Sequence, residues 1–144
     1  RYMNKISGPL LDRIDIQCEI TPVPFKDISK AAPGEPSAKI RERVIKAREI
    51  QAQRFKEFKG VHCNAQMNER MIHQFAEPDE AGIELLRMAM EKLSLSARAY
   101  NRILKVARTI ADLAGSESIK PDHLAEAISY RSLDRGDWAE RGHI

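Results

Sequence analysis

A chain of 144 residues, 42% of them hydrophobic and 31% charged, is long enough to bury one core and too rich in apolar side chains for wholesale disorder. Its net charge of +3 is too small to establish an anionic partner. Its two cysteines, Cys18 and Cys63, lie far apart without a CxxC pair, which argues against a disulfide framework or a cysteine-based zinc site and fits a reducing cytoplasm. No apolar run approaches the roughly 20 residues of a membrane span, and the start lacks a basic-then-apolar signal pattern, so a soluble protein without a membrane partner is expected.

The first stretch with a clear pattern is "GPLLDRIDI", Gly8 to Ile16, which sets Arg13 between a Gly-Pro turn and an alternating run. Ile14, Ile16, Cys18 and Ile20 alternate with Asp15, Gln17 and Glu19, the period of two expected of a strand with one buried face. A strand needs a partner for its backbone groups, and no second strand pattern follows. The strand is therefore predicted to be an orphan of a sheet outside this chain, and residues 1–20 to be the end of a larger core. From Thr21 to Ser37, "TPVPFKDISKAAPGEPS", four prolines and a glycine predict a linker over 21–36.

Everything beyond reads as helix. A basic helix is predicted from Ser37, as N-cap, to about Phe58, with a thin apolar stripe at Ile40, Val44, Ala47 and Phe55 and with Gly60 past its end. Residues 39–59 carry eight basic side chains against Glu42, Glu49 and Glu57, whereas 77–92 carry five acids against Arg87 and Lys92. A short helix over 68–75 gathers Met71, Ile72 and Phe75. The next opens at "EPDE", with Pro78 at its first position, and repeats Ile83, Leu86, Met90 and Leu93 as a core face. "SARAYNRILKVARTIADLAG", Ser96 to Gly115, is the clearest amphipathic helix, with Tyr100, Ile103, Leu104, Ala107, Ile110, Ala111 and Ala114 on one face and Arg98, Arg102 and Lys105 on another. The last helix starts at Pro121, with Ile119 and Leu124 at the spacing of a hydrophobic staple. The predicted fold is mainly α: a helical bundle over 37–135, preceded by one orphan strand and followed by a tail over 136–144.

Three basic features invite a phosphate. Arg98 lies near the second position of its helix, where the dipole disfavours a cation, so it answers either a bound phosphate or an acid such as Glu91. Arg13 is held on a turn and answers either a phosphate on another molecule or its neighbours Asp12 and Asp15; local physics favours the neighbours. The basic helix and the stripe of Arg102 and Lys105 are candidates for phosphate or DNA contacts, but the interleaved glutamates and scarce aromatics favour a solvated face. His62, Cys63 and His73 do not have zinc-ligand spacing, no metal site is expected, and no catalytic triad is indicated. Without a GxxxxGK[ST] loop, the chain is not expected to hydrolyse ATP alone.

Three stretches together, "RYMNKISGPLLDRIDIQCEI", "CNAQMN" and "LSARAYNRILKVARTIADLAGSESIKPDHLAEAISYRSLDR", resemble the magnesium chelatase-like AAA+ ATPases, and within them the ComM/YifB-type competence proteins. The resemblance implies that the chain is the end of an AAA+ core followed by its helical lid. It implies an arginine finger at Arg13, acting on the ATP of a neighbouring subunit, and a sensor 2 arginine at Arg98, in cis or in trans. It implies ATP and Mg2+ as ligands of the full-length protein, bound mainly by Walker A, Walker B and sensor 1 elements that precede Arg1. The parent is expected to be a hexameric ring that remodels DNA by branch migration during recombination and competence. The alternatives are a helical nucleic-acid-binding module and a protein-interaction domain with no nucleotide role.

Overall fold

The computed structural model describes residues 5–131. The predicted 136–144 tail and the last residues of the predicted 37–135 bundle lie outside the described residues. Among those described there are helices and loops but no strand: α1 (Gly8–Leu11), α2 (Phe25–Ser29), α3 (Ser37–Arg54), a 3-10 turn (Asn64–Gln66), α4 (Glu69–Phe75), α5 (Glu80–Lys92), α6 (Ala97–Leu113) and α7 (Pro121–Ser129). The mainly α class expected from the periodicity is the class observed.

The central element is α6. Its buried residues Ala99, Ile103, Leu104, Ala107 and Ala111 recur at three- and four-residue steps, which places them on one stripe of the helix. Three of the five are alanines, so neighbouring helices can approach closely. Accordingly α6 packs against α3, α4, α7 and the 3-10 turn, while α5 joins the bundle through α7. α7 comes close to α5 at Gly82, where an added Cβ would lie 2.8 Å from both Leu124 Cδ1 and Pro78 Cβ. Leu86, one turn further along α5, is buried against the same core. At the other end of the bundle the rings of Phe55, Phe58 and Phe75 meet edge to face, with centroids 5.6 to 6.3 Å apart, closing the junction of α3 with α4.

The helix boundaries follow from side-chain caps. Asn68 accepts a hydrogen bond from Met71 N, Asp79 from Gly82 N and Ser96 from Ala99 N, each satisfying an amide that the first turn leaves open. Pro121 begins α7, and the buried pair Ile119 and Leu124 forms the expected staple. Three expectations shift: Pro36 rather than Ser37 precedes α3, α3 ends at Arg54 rather than about Phe58, and Asp79 rather than Pro78 opens α5, because the aspartate carboxylate can cap and the proline cannot. Ile83 is exposed, since the face of α5 that meets α7 runs through Gly82 and Leu86.

The largest departures lie before α3. Residues 14–20 form no strand; Ile14, Ile16 and Ile20 are exposed, and it is Gln17 that is buried. The physical reason is the one that made the strand an orphan: no neighbouring edge among the described residues offers a ladder, so the segment takes its hydrogen bonds from the bundle. Gln17 N donates to Tyr130 O at 2.9 Å, and its side-chain amide donates to Leu11 O at 3.1 Å. Within the proline-rich linker, 25–29 turn into the short α2, because Pro24 sets an extended residue ahead of it and no proline interrupts the next eight positions.

Candidate functional site

The turn between α5 and α6 delivers the first candidate arginine. Leu95 N donates to Met90 O and Ser94 N to Glu91 O, the two bonds of a left-handed helix stop, with Ser94 itself at φ 45°. Ser96 then caps α6, and Arg98 follows at its second position with its side chain exposed. The dipole makes that end of α6 favourable for anions, so a cation there has no local electrostatic reason. The acid nearest in sequence, Glu91, is already engaged: Arg87 bridges Glu84 and Glu91 at 2.6 Å each, which raises the arginine's pKa and lowers that of Glu84, chiefly through the hydrogen bonds. Among the described residues Arg98 makes no side-chain hydrogen bond or ion pair.

The second candidate, Arg13, follows α1 in a turn held by Arg13 N to Leu10 O at 3.1 Å and Ile14 N to Leu11 O at 3.0 Å. Local physics favours Asp12 or Asp15 as its partner, and neither takes that role. Asp15 pairs instead with Arg102, and Arg13 is exposed without a side-chain partner among the described residues. The Asp15–Arg102 pair brings the Arg13 turn against α6 one helical turn, about 6 Å, from Arg98. Lys105, a further turn along, donates to Ala65 O at 3.1 Å. Thus Arg102 and Lys105 tie other segments to α6, whereas Arg13 and Arg98 remain available on the surface that those ties create.

A different set of charged residues is buried, and sequence reasoning did not find it. The Asp112 carboxylate accepts from Arg54 Nη2 at 2.6 Å and Nη1 at 2.8 Å, from Asn64 Nδ2 at 2.9 Å and from Arg108 Nε at 3.2 Å. Asn64 also accepts from Arg54, and its backbone amide donates to Gln51 Oε1 at 2.9 Å. Arg108 spends its remaining donors on Ser116 O at 2.7 Å and Glu117 O at 2.9 Å. Burial lowers the pKa of Arg108, Asp112 opposes that, and the nearby charge of Arg54 adds to it. With every member satisfied, this network is a joint between α3, the 3-10 turn and the end of α6. Its one legible trace was the four-residue spacing of Arg108 and Asp112 beside the alanines of the buried stripe.

Elsewhere the surface offers little chemistry. An apolar groove of about 770 Å3 lies between α5 and α7, with Leu85, Met88, Leu93 and Ile128 among its walls and Glu91 and Lys92 as its charged lining residues. Among the described residues no three His, Cys, Asp or Glu side chains come together as a metal site, and no helix is long and apolar enough to cross a membrane. Cys18 and Cys63 are both free thiols.

A bundle that displays two unpartnered arginines from a turn and a helix N-terminus is the class of structure that the site defines. Residues 34–131 match the family of magnesium chelatase subunit ChlI C-terminal domains, and residues 1–28 match the magnesium chelatase subunit ChlI family. The chain belongs to this magnesium chelatase-like family. It is 43% identical over 136 residues to the competence protein ComM of Haemophilus influenzae and to YifB of Escherichia coli, matches that cover 94% of this chain and 26% of each relative. It is 39% identical over 131 residues to Mb2921c of Mycobacterium bovis, covering 91% of this chain and 26% of that protein. The chain therefore spans about a quarter of the length of the curated relatives it matches, and it is of the ComM type among magnesium chelatase-like proteins.

Proposed function

We propose that this chain is the C-terminal lid region of a magnesium chelatase-like AAA+ ATPase, in which Arg13 is an arginine finger for ATP bound by a neighbouring subunit and Arg98 is sensor 2. The observation that carries the reading is that both arginines are exposed without a side-chain partner among the described residues, while Asp15 is engaged by Arg102 and Glu91 by Arg87. Each open guanidinium offers a planar fork of N–H groups to phosphate oxygens, the donor geometry that a triphosphate calls for. Bound Mg2+ would neutralise part of the phosphate charge, and the arginines would hold and orient the outer phosphates. An arginine finger stabilises charge developing on the transferred phosphoryl group and is worth roughly 10³ to 10⁵ in rate in GTPases.

The rest of the reading concerns the parent protein: a hexameric ring in the cytoplasm that couples ATP hydrolysis to DNA remodelling in recombination and competence. The similarity to a protein named for competence supports it. Arg13→Ala and Arg98→Ala in the full-length protein test it. Each is expected to abolish most ATP turnover with assembly intact, and turnover at the unaltered rate would overturn the assignment.

A second reading has one observation in its favour. The first half of α3 projects Ile40, Val44 and Ile45 into solvent together with its basic residues, so that half of the helix is available to a nucleic acid. Binding of this chain to duplex DNA that weakens steeply with salt would support it.

A further inference from the structure

Among the described residues the least exposed arginine bears on an exposed one, Arg13. Arg131, immediately after the end of α7, is 1% exposed. Its Nη1 donates to Ile14 O at 2.7 Å, and its Nη2 lies 3.3 Å from both Leu11 O and Asp12 O. Those three carbonyls bracket Arg13 on either side. Next to it, Tyr130 O accepts from Gln17 N at 2.9 Å, so two consecutive residues at the end of α7 hold the segment from 11 to 17. The α1 turn itself is only 4 residues long and has no buried residue of its own. Nothing within so short a helix could fix the direction of Arg13 against thermal motion.

We propose that Arg131 is a positioning residue for Arg13, holding the backbone of the finger turn in the orientation that presents its guanidinium to a neighbouring subunit's nucleotide. The inference rests on the arginine-finger reading of Arg13. The choice of arginine has a chemical reason: a planar guanidinium can bridge carbonyls of three different residues, whereas a lysine ammonium is a point charge on a flexible stem. The arrangement also links the two candidate arginines mechanically. Arg98 is on α6, α6 packs against α7, and Arg131, two residues beyond Ser129 at the end of α7, grips the Arg13 turn. A lid that shifts when Arg98 meets phosphate would carry the finger turn with it.

The test uses the full-length protein with Arg13→Ala, Arg131→Ala, Arg131→Lys and the double variant Arg13→Ala/Arg131→Ala. It reads kcat and KM for ATP, oligomer size, and amide hydrogen exchange across 11–17. Misplacement of a reacting group by an ångström costs on the order of 100-fold, so Arg131→Ala is expected to lower kcat at least about tenfold. KM for ATP should stay within about threefold, because ground-state binding is left largely intact. Exchange should quicken at Arg13, Ile14 and Gln17 while the amides of α6 keep their protection. If Arg131 acts through Arg13, the double variant is no slower than Arg13→Ala alone.

Wild-type kcat in Arg131→Ala, beside a dead Arg13→Ala, would overturn the positioning role and leave the finger. Wild-type kcat in Arg13→Ala would overturn both. A double variant slower than Arg13→Ala by the full factor of Arg131→Ala would mean that the two act independently, which also rejects the inference. Should Arg131→Ala fail to fold, Arg131→Lys keeps the charge and gives the same kcat and exchange comparison.

Discussion

The two ends of α6 carry arginines in opposite circumstances. At the C-terminal end Arg108 is buried, meets Asp112 four residues on, and spends its other donors on the loop that follows Gly115. At the N-terminal end Arg98 stands exposed at the positive pole of the helix, with the acid nearest in sequence, Glu91, already bound to Arg87. The first arrangement is one a fold requires, because a buried guanidinium without acceptors is strongly destabilising. The second contributes nothing local to stability and is slightly opposed by the dipole. An arginine the fold does not need is therefore the one to credit with a role outside the fold.

The contrast can be broken most forcefully at its buried end. Asp112→Ala removes the shared acceptor of Arg54, Asn64 and Arg108, and should cost about 3–5 kcal/mol by chemical denaturation, as breaking a buried ion pair does. Next in size is Gly115→Ala, which forces a Cβ into the left-handed region at φ 67° and should cost about 1–2 kcal/mol in the same assay. At the other end of α6, Ser96→Ala deletes the side-chain acceptor for Ala99 N; a loss of about 1 kcal/mol is expected in thermal unfolding. Arg98→Ala should change the unfolding free energy by no more than about 0.5 kcal/mol, and a loss as large as that of Asp112→Ala would show that Arg98 is a structural residue after all.

The smallest effect concerns the pair that keeps Glu91 occupied. The Arg87 hydrogen bonds hold Glu84 below the ordinary value of 4.5, so the folded state binds that proton more weakly than the unfolded chain. The stabilisation is then fully present above about pH 4.5 and disappears as the pH falls through the lowered folded value. Both side chains are exposed, and salt should shrink the effect. Melting midpoints of the wild type and Glu84→Gln between pH 6 and pH 3, at low and high salt, would reveal it as a gap that closes on acidification.

Much of the bundle was legible because helices announce themselves locally. The stripe of α6, the cap at Ser96 and the staple of Ile119 with Leu124 all depend on residues within five positions of one another. The candidate arginines were legible as residues but not as choices. Whether Arg13 meets Asp15 depends on Arg102, 87 positions away from that aspartate, and no local rule reaches so far. The alternation of Ile14 to Ile20 misled for a related reason: period two describes a face only where another strand or layer exists to cover it.

By itself, then, the sequence determined the five main helices of the bundle to within a few residues at their ends, and the pair of arginines worth asking about, since propensity, capping and amphipathic spacing are short-range forces. Tertiary structure alone decided which charges are spoken for. It sent Arg102 to Asp15, Arg54 to Asp112 and Arg131 to the carbonyls around Arg13, because ion pairs and buried hydrogen bonds are settled by distance in space. Arg13 and Arg98 are among the outward-facing cations that those pairings leave over.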